Sequence, residues 1–152
     1  MFAHLSKLDI SDKTHWVEFP EIHPDARVQI LAAGESNPAY FSAALRKYGQ
    51  QKAKAKTRQL SVADFDEARE SERDLFGRFV VISWESLPAK EGGMVPFSRE
   101  NAMDLCAHLP DWLFDRLRHR ANEPSNFLDI GEDPLPDAAE LAKNSESGSA
   151  TI

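Results

Sequence analysis

The chain has 152 residues, 41% of them hydrophobic, with 9 Phe and 3 Trp, which suits one domain with its own core. No apolar run approaches the roughly 20 residues of a membrane helix, Met1–Ile10 lacks a signal-peptide profile, and the single cysteine, Cys106, excludes an internal disulfide, as suits a soluble protein of a reducing cytoplasm. Most of the formal net charge of −7 falls in residues 123–152, where Glu123, Asp129, Glu132, Asp133, Asp137, Glu140 and Glu146 face Lys143 alone; the nearly neutral remainder argues against general nucleic-acid binding, which depends on neutralising phosphates.

Residues 1–14 read as a loose lead-in, 15–128 as a single globular domain and 129–152 as a disordered acidic tail. Trp16-Val17-Glu18-Phe19 and Val28-Gln29-Ile30-Leu31 are rich in β-formers, and the segment between them holds Pro20 and Pro24. They predict a hairpin over 15–32 that must rest on helices, because an isolated strand pair is marginal.

Gly34-Glu35-Ser36-Asn37-Pro38 predicts a turn into a helix over 38–58, with Asn37 as N-cap and Pro38 at the first helical position. Tyr40, Phe41, Ala44, Leu45 and Tyr48 give it one apolar stripe. Gln50–Arg58 has no apolar anchor beyond alanine, so it is either an exposed continuation of that helix or a basic linker. Ser61 and Asp64 form a capping-box pattern for a second helix, taken as running over 61–84. Arg78–Trp84 alone reads equally well as a strand, but the long periodic segment ahead of it favours helix.

A turn around Gly92-Gly93, with a tiny hairpin as the alternative, leads to Ser98, which caps a helix over 99–109. Pro110-Asp111 opens a last helix over 111–121, whose basic end, Arg116–Arg120, complements the helix dipole. The fold class expected is mainly α with a small N-terminal β-hairpin, an α+β arrangement.

No group of residues assembles an active site. His4, His15, His23, His108 and His119 lack zinc-ligand spacing, and one cysteine cannot complete a thiolate site. Cys106 reads as a small buried hydrophobe. Gly92-Gly93 lacks the Lys-Ser/Thr of a phosphate loop. Glu67, Glu70 and Asp74 read as a solvated helix face.

Two surfaces stand out. Arg46, Lys47, Lys52, Lys54, Lys56 and Arg58 form a basic run with no acid among them. The plain reading is a solvated helix end; the functional one is a docking patch for an acidic partner or an acidic segment of a sister chain. Trp84 with Met94, Pro96 and Phe97 reads either as core packing or as an apolar groove for a partner helix.

The order of these signals carries more than any one of them. Asn37-Pro38-x-Tyr40, a basic helix, Trp84-Glu85, a Gly turn, Val95-Pro96-Phe97-Ser98-x-Glu100-Asn101, Leu109-Pro110-Asp111 and Asn126-Phe127 precede a polar tail bearing Ala142-Lys143-Asn144. This resembles the tail assembly chaperones of long-tailed bacteriophages, although the turn Leu87–Gly93 is longer than that pattern has. Ala142-Lys143-Asn144 can be encoded by A-AAA-AAC, a heptamer on which a ribosome slips back one base.

The resemblance implies a non-enzymatic protein without cofactor or metal. It would bind the tape-measure protein, keep it soluble and help recruit tail-tube subunits. It would act in the host cytoplasm, with no membrane and no nucleic acid, and be absent from the mature virion. This chain would be the short form. A longer frameshifted form would contact the tube protein, and homo-oligomers are compatible with the surfaces above. The alternatives are a structural or adaptor component retained in the particle, or a small regulatory protein using the basic patch.

Overall fold

The computed structural model describes residues 1–128. The acidic tail at 129–152 and the slip site Ala142–Asn144 lie outside them. About 54% of the described chain is helical, joined to one small three-stranded antiparallel sheet.

Ala3–Leu8 forms a 3-10 helix within the expected lead-in. β1 (Thr14–Glu18) and β2 (Arg27–Leu31) then pair as an antiparallel hairpin. α1 (Pro38–Thr57) and α2 (Val62–Phe79) follow, then β3 (Val81–Glu85), α3 (Arg99–His108) and α4 (Asp111–Ala121). A 3-10 turn, Pro124–Phe127, closes the described chain. α1 is continuous through the basic run, which settles the choice between helix and linker for Gln50–Thr57.

One element corrects the sequence reading. The helix expected over 61–84 stops at Phe79, and Val81–Glu85 is a third strand on the free edge of β2. Phe76, Val80 and Trp84 are buried at intervals of four, which is the helical signature. The burial has another cause. Gln29 pairs with Ser83 but Ile30 pairs with Val81, so β3 carries one extra residue there, Ile82. That bulge brings Val81 and Trp84 to the same buried face although they lie three apart. β-branched Val80-Val81-Ile82 beside an unpaired β2 edge favours the strand over another helical turn.

The sheet presents Val17, Val28 and Trp84 as a cross-strand row, with Ile30 and Val81 beside it. The last turn of α2, α3 and α4 cover this face. Phe76 sits among them, edge-on to Tyr40 at 5.7 Å and to Phe114 at 5.2 Å between ring centres. α2 and α3 approach most closely at Gly77, where an added Cβ would stand 2.7 Å from the Cα of Met103.

The helix ends are satisfied across elements. Arg99, at the start of α3, donates to the carbonyls of Gly77 and Val81 at 2.8 and 2.6 Å. Arg73, on α2, donates to the carbonyls of Cys106 and Leu109 at the end of α3, at 2.8 and 2.7 Å, and pairs with Asp111 at the start of α4. Each arginine therefore reaches a carbonyl at the end of the other's helix, a group a helix leaves unbonded, and Arg99 also serves the first carbonyl of β3.

Candidate functional site

Trp84 forms the floor of a groove between the sheet and α3. Its indole N–H donates to the Val95 carbonyl at 2.8 Å, and its ring meets Phe97 edge-on at 5.0 Å. Ser86, at φ 58°, turns the chain out of β3 in the left-handed region, and the segment then doubles back. Pro88 bridges to Met94, Val95 N–H donates to the Leu87 carbonyl, and Gly92 and Gly93 take φ of 104° and 75° at the tip. The tiny hairpin is therefore formed.

The groove has a volume of about 150 Å³ and is walled by Ile22, Trp84, Leu87, Pro88, Val95 and Leu105, with Asn101 and Asp104 at its polar end. Of the four residues singled out for this surface, Trp84 is buried, Phe97 half-buried, and Met94 and Pro96 exposed. Of these four only Trp84 lines the groove, and Ile22, Leu87 and Leu105 line it with Trp84. Nothing in the sequence ties the β1–β2 turn to α3, so Ile22 had no local signal.

The basic run divides into two parts. Lys54 pairs with Glu67 at 2.9 Å, and Arg58 holds Asp64 through both carboxylate oxygens at 2.6 and 2.7 Å. Asp64 also accepts from the Ser61 N–H, so its carboxyl is held well below the usual range, first by Arg58 and then by Ser61. Arg46, Lys47, Lys52 and Lys56 are exposed and form no ion pair among the described residues. The patch expected from six cations thus keeps four for an outside partner.

Those helices leave large apolar side chains outside the core. α1 has no buried residue, and α2 buries only Leu75, Phe76 and Gly77 in its last turns. The α1–α2 hairpin projects as an arm. On it Leu45, Tyr48, Val62 and Phe65 are 53%, 62%, 77% and 59% exposed. The stripe at Tyr40–Tyr48 was legible, but its far half faces outward.

Cys106 is buried in α3, and burial pushes its thiol up to about 12. His15 packs on Phe127 and meets the Arg120 guanidinium at 3.2 Å; burial and then that charge lower its pKa. Among the described residues no three of His, Cys, Asp and Glu converge on a common point, and no helix is long and apolar enough to cross a membrane.

The stretch from the turn before α1 through α4 matches a family model described as YdaY prophage protein, over residues 35–132. The chain belongs to that family. The protein is therefore phage-derived. The family match includes the arm, β3, the Gly92-Gly93 hairpin and both C-terminal helices, but begins after β1 and β2. No curated protein and no solved structure matches the chain.

Proposed function

We propose that this prophage-family protein is a tail assembly chaperone that holds apolar helical segments of the tape-measure protein until tail-tube subunits cover them. The observation that carries the reading is the groove at Trp84. A cavity of about 150 Å³ with apolar walls is the size that admits a benzene-like group. It is well below the roughly 300 Å³ at which small-molecule pockets begin. It therefore suits a single large side chain projecting from a partner helix, with exposed Met94 beside it.

The bacteriophage origin of the family and the order of motifs from Asn37 to Phe127 support the same reading. A client held in this way needs no catalysis. Several copies along one long client would reinforce a weak individual contact through avidity. The reading also carries the one-base slip at Ala142–Asn144 and a longer product that reaches the tube protein. The gene's nucleotides there test it directly: a slippery heptamer followed by an open overlapping frame is the expected result.

The central experiment is co-expression with the tape-measure protein of the same phage. The tape measure should be soluble with this chain and aggregated without it. Met94→Asp and Phe97→Ala should lower the soluble fraction, whereas Trp84→Ala also opens the core and is a poor test. A client equally soluble with and without the chain overturns the proposal. Mass spectrometry of purified particles separates a chaperone, which leaves, from a structural or adaptor component, which stays.

A further inference from the structure

α1 carries a face that no other described element covers. Leu45, Tyr48, Lys52 and Lys56 follow one another at spacings of three, four and four, so they share one stripe within an arc of about 80°. Lys47, Gln51 and Lys54, which line the cleft with α2, fall on the opposite side of the helix. All four side chains of the stripe are exposed, and neither lysine has an ion-pair partner among the described residues. The Asn37–Phe79 bond marks the base of the arm and the Arg58–Asp64 pair its tip. The stripe is therefore apolar toward the base and cationic toward the tip.

α1 has no acidic residue of its own, so the same stripe on a second copy offers these lysines nothing. A complement lies beyond Leu128. Residues 129–152 hold Asp129, Glu132, Asp133, Asp137, Glu140 and Glu146 against Lys143, with Leu135 and Leu141 set among them. That segment supplies carboxylates for the lysines and aliphatic side chains for Leu45 and Tyr48. The route to the stripe is short. Phe127 meets His15 edge-on at 5.8 Å, and Leu128 lines a surface hollow with Thr14, which pairs with Leu31 at the end of β2. The Ala33 N–H, just after that strand, donates to the Ala121 carbonyl, and α1 starts at Pro38. The chain thus leaves the described domain near the end of the sheet from which the arm springs. α1 rises about 15 Å from Pro38 to Tyr48 and about 27 Å to Lys56. From Leu128 to Glu140 the chain extends up to roughly 40 Å, which covers that distance.

We infer that the acidic segment 129–152 docks on the Leu45–Lys56 stripe of its own chain, with carboxylates on Lys52 and Lys56 and with Leu135 and Leu141 over Leu45 and Tyr48. Tethering gives the segment an effective concentration on the order of millimolar at the stripe. A contact too weak to hold a separate peptide is then occupied within one molecule. Exposed lysine–carboxylate pairs contribute little each and are screened by salt, so the cover opens easily. An outside acidic partner has to displace the tail before it reaches these lysines, and the chain thereby guards its basic face against weak competitors.

The inference concerns a different surface from the groove at Trp84, and its test needs no client. A nitroxide is attached to Asn144→Cys in the full, isotope-labelled chain; Cys106 is buried and does not compete for the label. In low salt the nitroxide should broaden the amide signals of Leu45–Lys56. Lys52→Gln with Lys56→Gln should remove most of that broadening with an unchanged circular dichroism spectrum, since both side chains are exposed. Leu135→Ser with Leu141→Ser should reduce it as well. No broadening along α1, or broadening that survives loss of both lysines, overturns the inference. A mixture of nitroxide-bearing chains without isotope and isotope-labelled chains without nitroxide should show none. Broadening of α1 in that mixture places the tail on a second copy and equally overturns the inference.

Discussion

The side chain of Asn37 joins the start of α1 to the end of α2: its oxygen accepts from the Tyr40 N–H at 3.2 Å while its amide donates to the Phe79 carbonyl at 2.8 Å. It is the buried polar residue on which the base of the arm closes. Asn37→Ala should cost about 1–3 kcal/mol in denaturant unfolding, since it removes an N-cap and leaves a carbonyl without its partner. Asn37→Asp keeps the cap but turns a carboxylate on that carbonyl. It should therefore be no better than alanine, whereas a simple capping role would leave it near wild type.

Gly77 is irreplaceable for a reason of space. An alanine Cβ would press on the Met103 backbone at 2.7 Å, where no flexible side chain can yield. Gly77→Ala should destabilise by about 1–3 kcal/mol despite the better helix propensity of alanine. A stabilised variant in thermal unfolding would show that α2 and α3 slide apart freely.

Arg73 offers a test of geometry against charge. Its guanidinium meets the Cys106 and Leu109 carbonyls and Asp111 at once, and stands 4.7 Å over the Phe114 ring. Arg73→Lys keeps the charge but cannot span those acceptors, so it should lose much of what Arg73→Ala loses, about 1.5–3 kcal/mol per charged hydrogen bond broken. Equal stability of the Lys variant and wild type would mean that only the positive charge matters.

Cys106 should be silent toward thiol reagents in the native protein. Its thiol is buried and pushed up to about 12, so the reactive thiolate is scarce. Alkylation should appear only along the unfolding transition. Rapid labelling of the folded chain would place the α3 interior in contact with solvent.

His15 gives the fold a pH dependence of defined sign. Its pKa is lowered from 6.5 by burial and by Arg120, so the folded state favours the neutral ring. The associated stability is present above the unfolded pKa of about 6.5 and is lost as pH falls through the lower folded value. The melting temperature should drop on acidification in that window, and His15→Asn should flatten the slope there. An unchanged slope would assign it to other groups.

What the sequence made legible was local. Asn37-Pro38, Ser61 with Asp64, and Ser98 marked three helix starts because a cap bonds within its own turn. The third strand was visible in the β-rich run at Arg78–Trp84 but lost to helix, because the bulge at Ile82 gave Val81 and Trp84 a spacing no regular strand has, and the run Phe76, Val80, Trp84 imitated a helix. The linked roles of Arg73 and Arg99 left no trace, since their partners are backbone carbonyls that every residue possesses. The groove was half legible: Trp84 and Phe97 are neighbours in space as the motif order suggested, but Ile22 and Leu105 reach it only through the tertiary fold. Likewise, the stripe at Leu45 and Tyr48 announced an apolar face without saying that this part of α1 stands clear of the core.

The arm also divides the molecule by stability. Most of a helix's stability in a protein comes from packing one face on the core, and α1 has no buried side chain to supply it. β2, by contrast, is bonded on both edges and lies over the core. Amide exchange should therefore proceed along α1 by a small opening that leaves the sheet intact, while β2 exchanges only when the whole domain melts. The chain would then hold a softer and a firmer cooperative unit, meeting at the base of the arm.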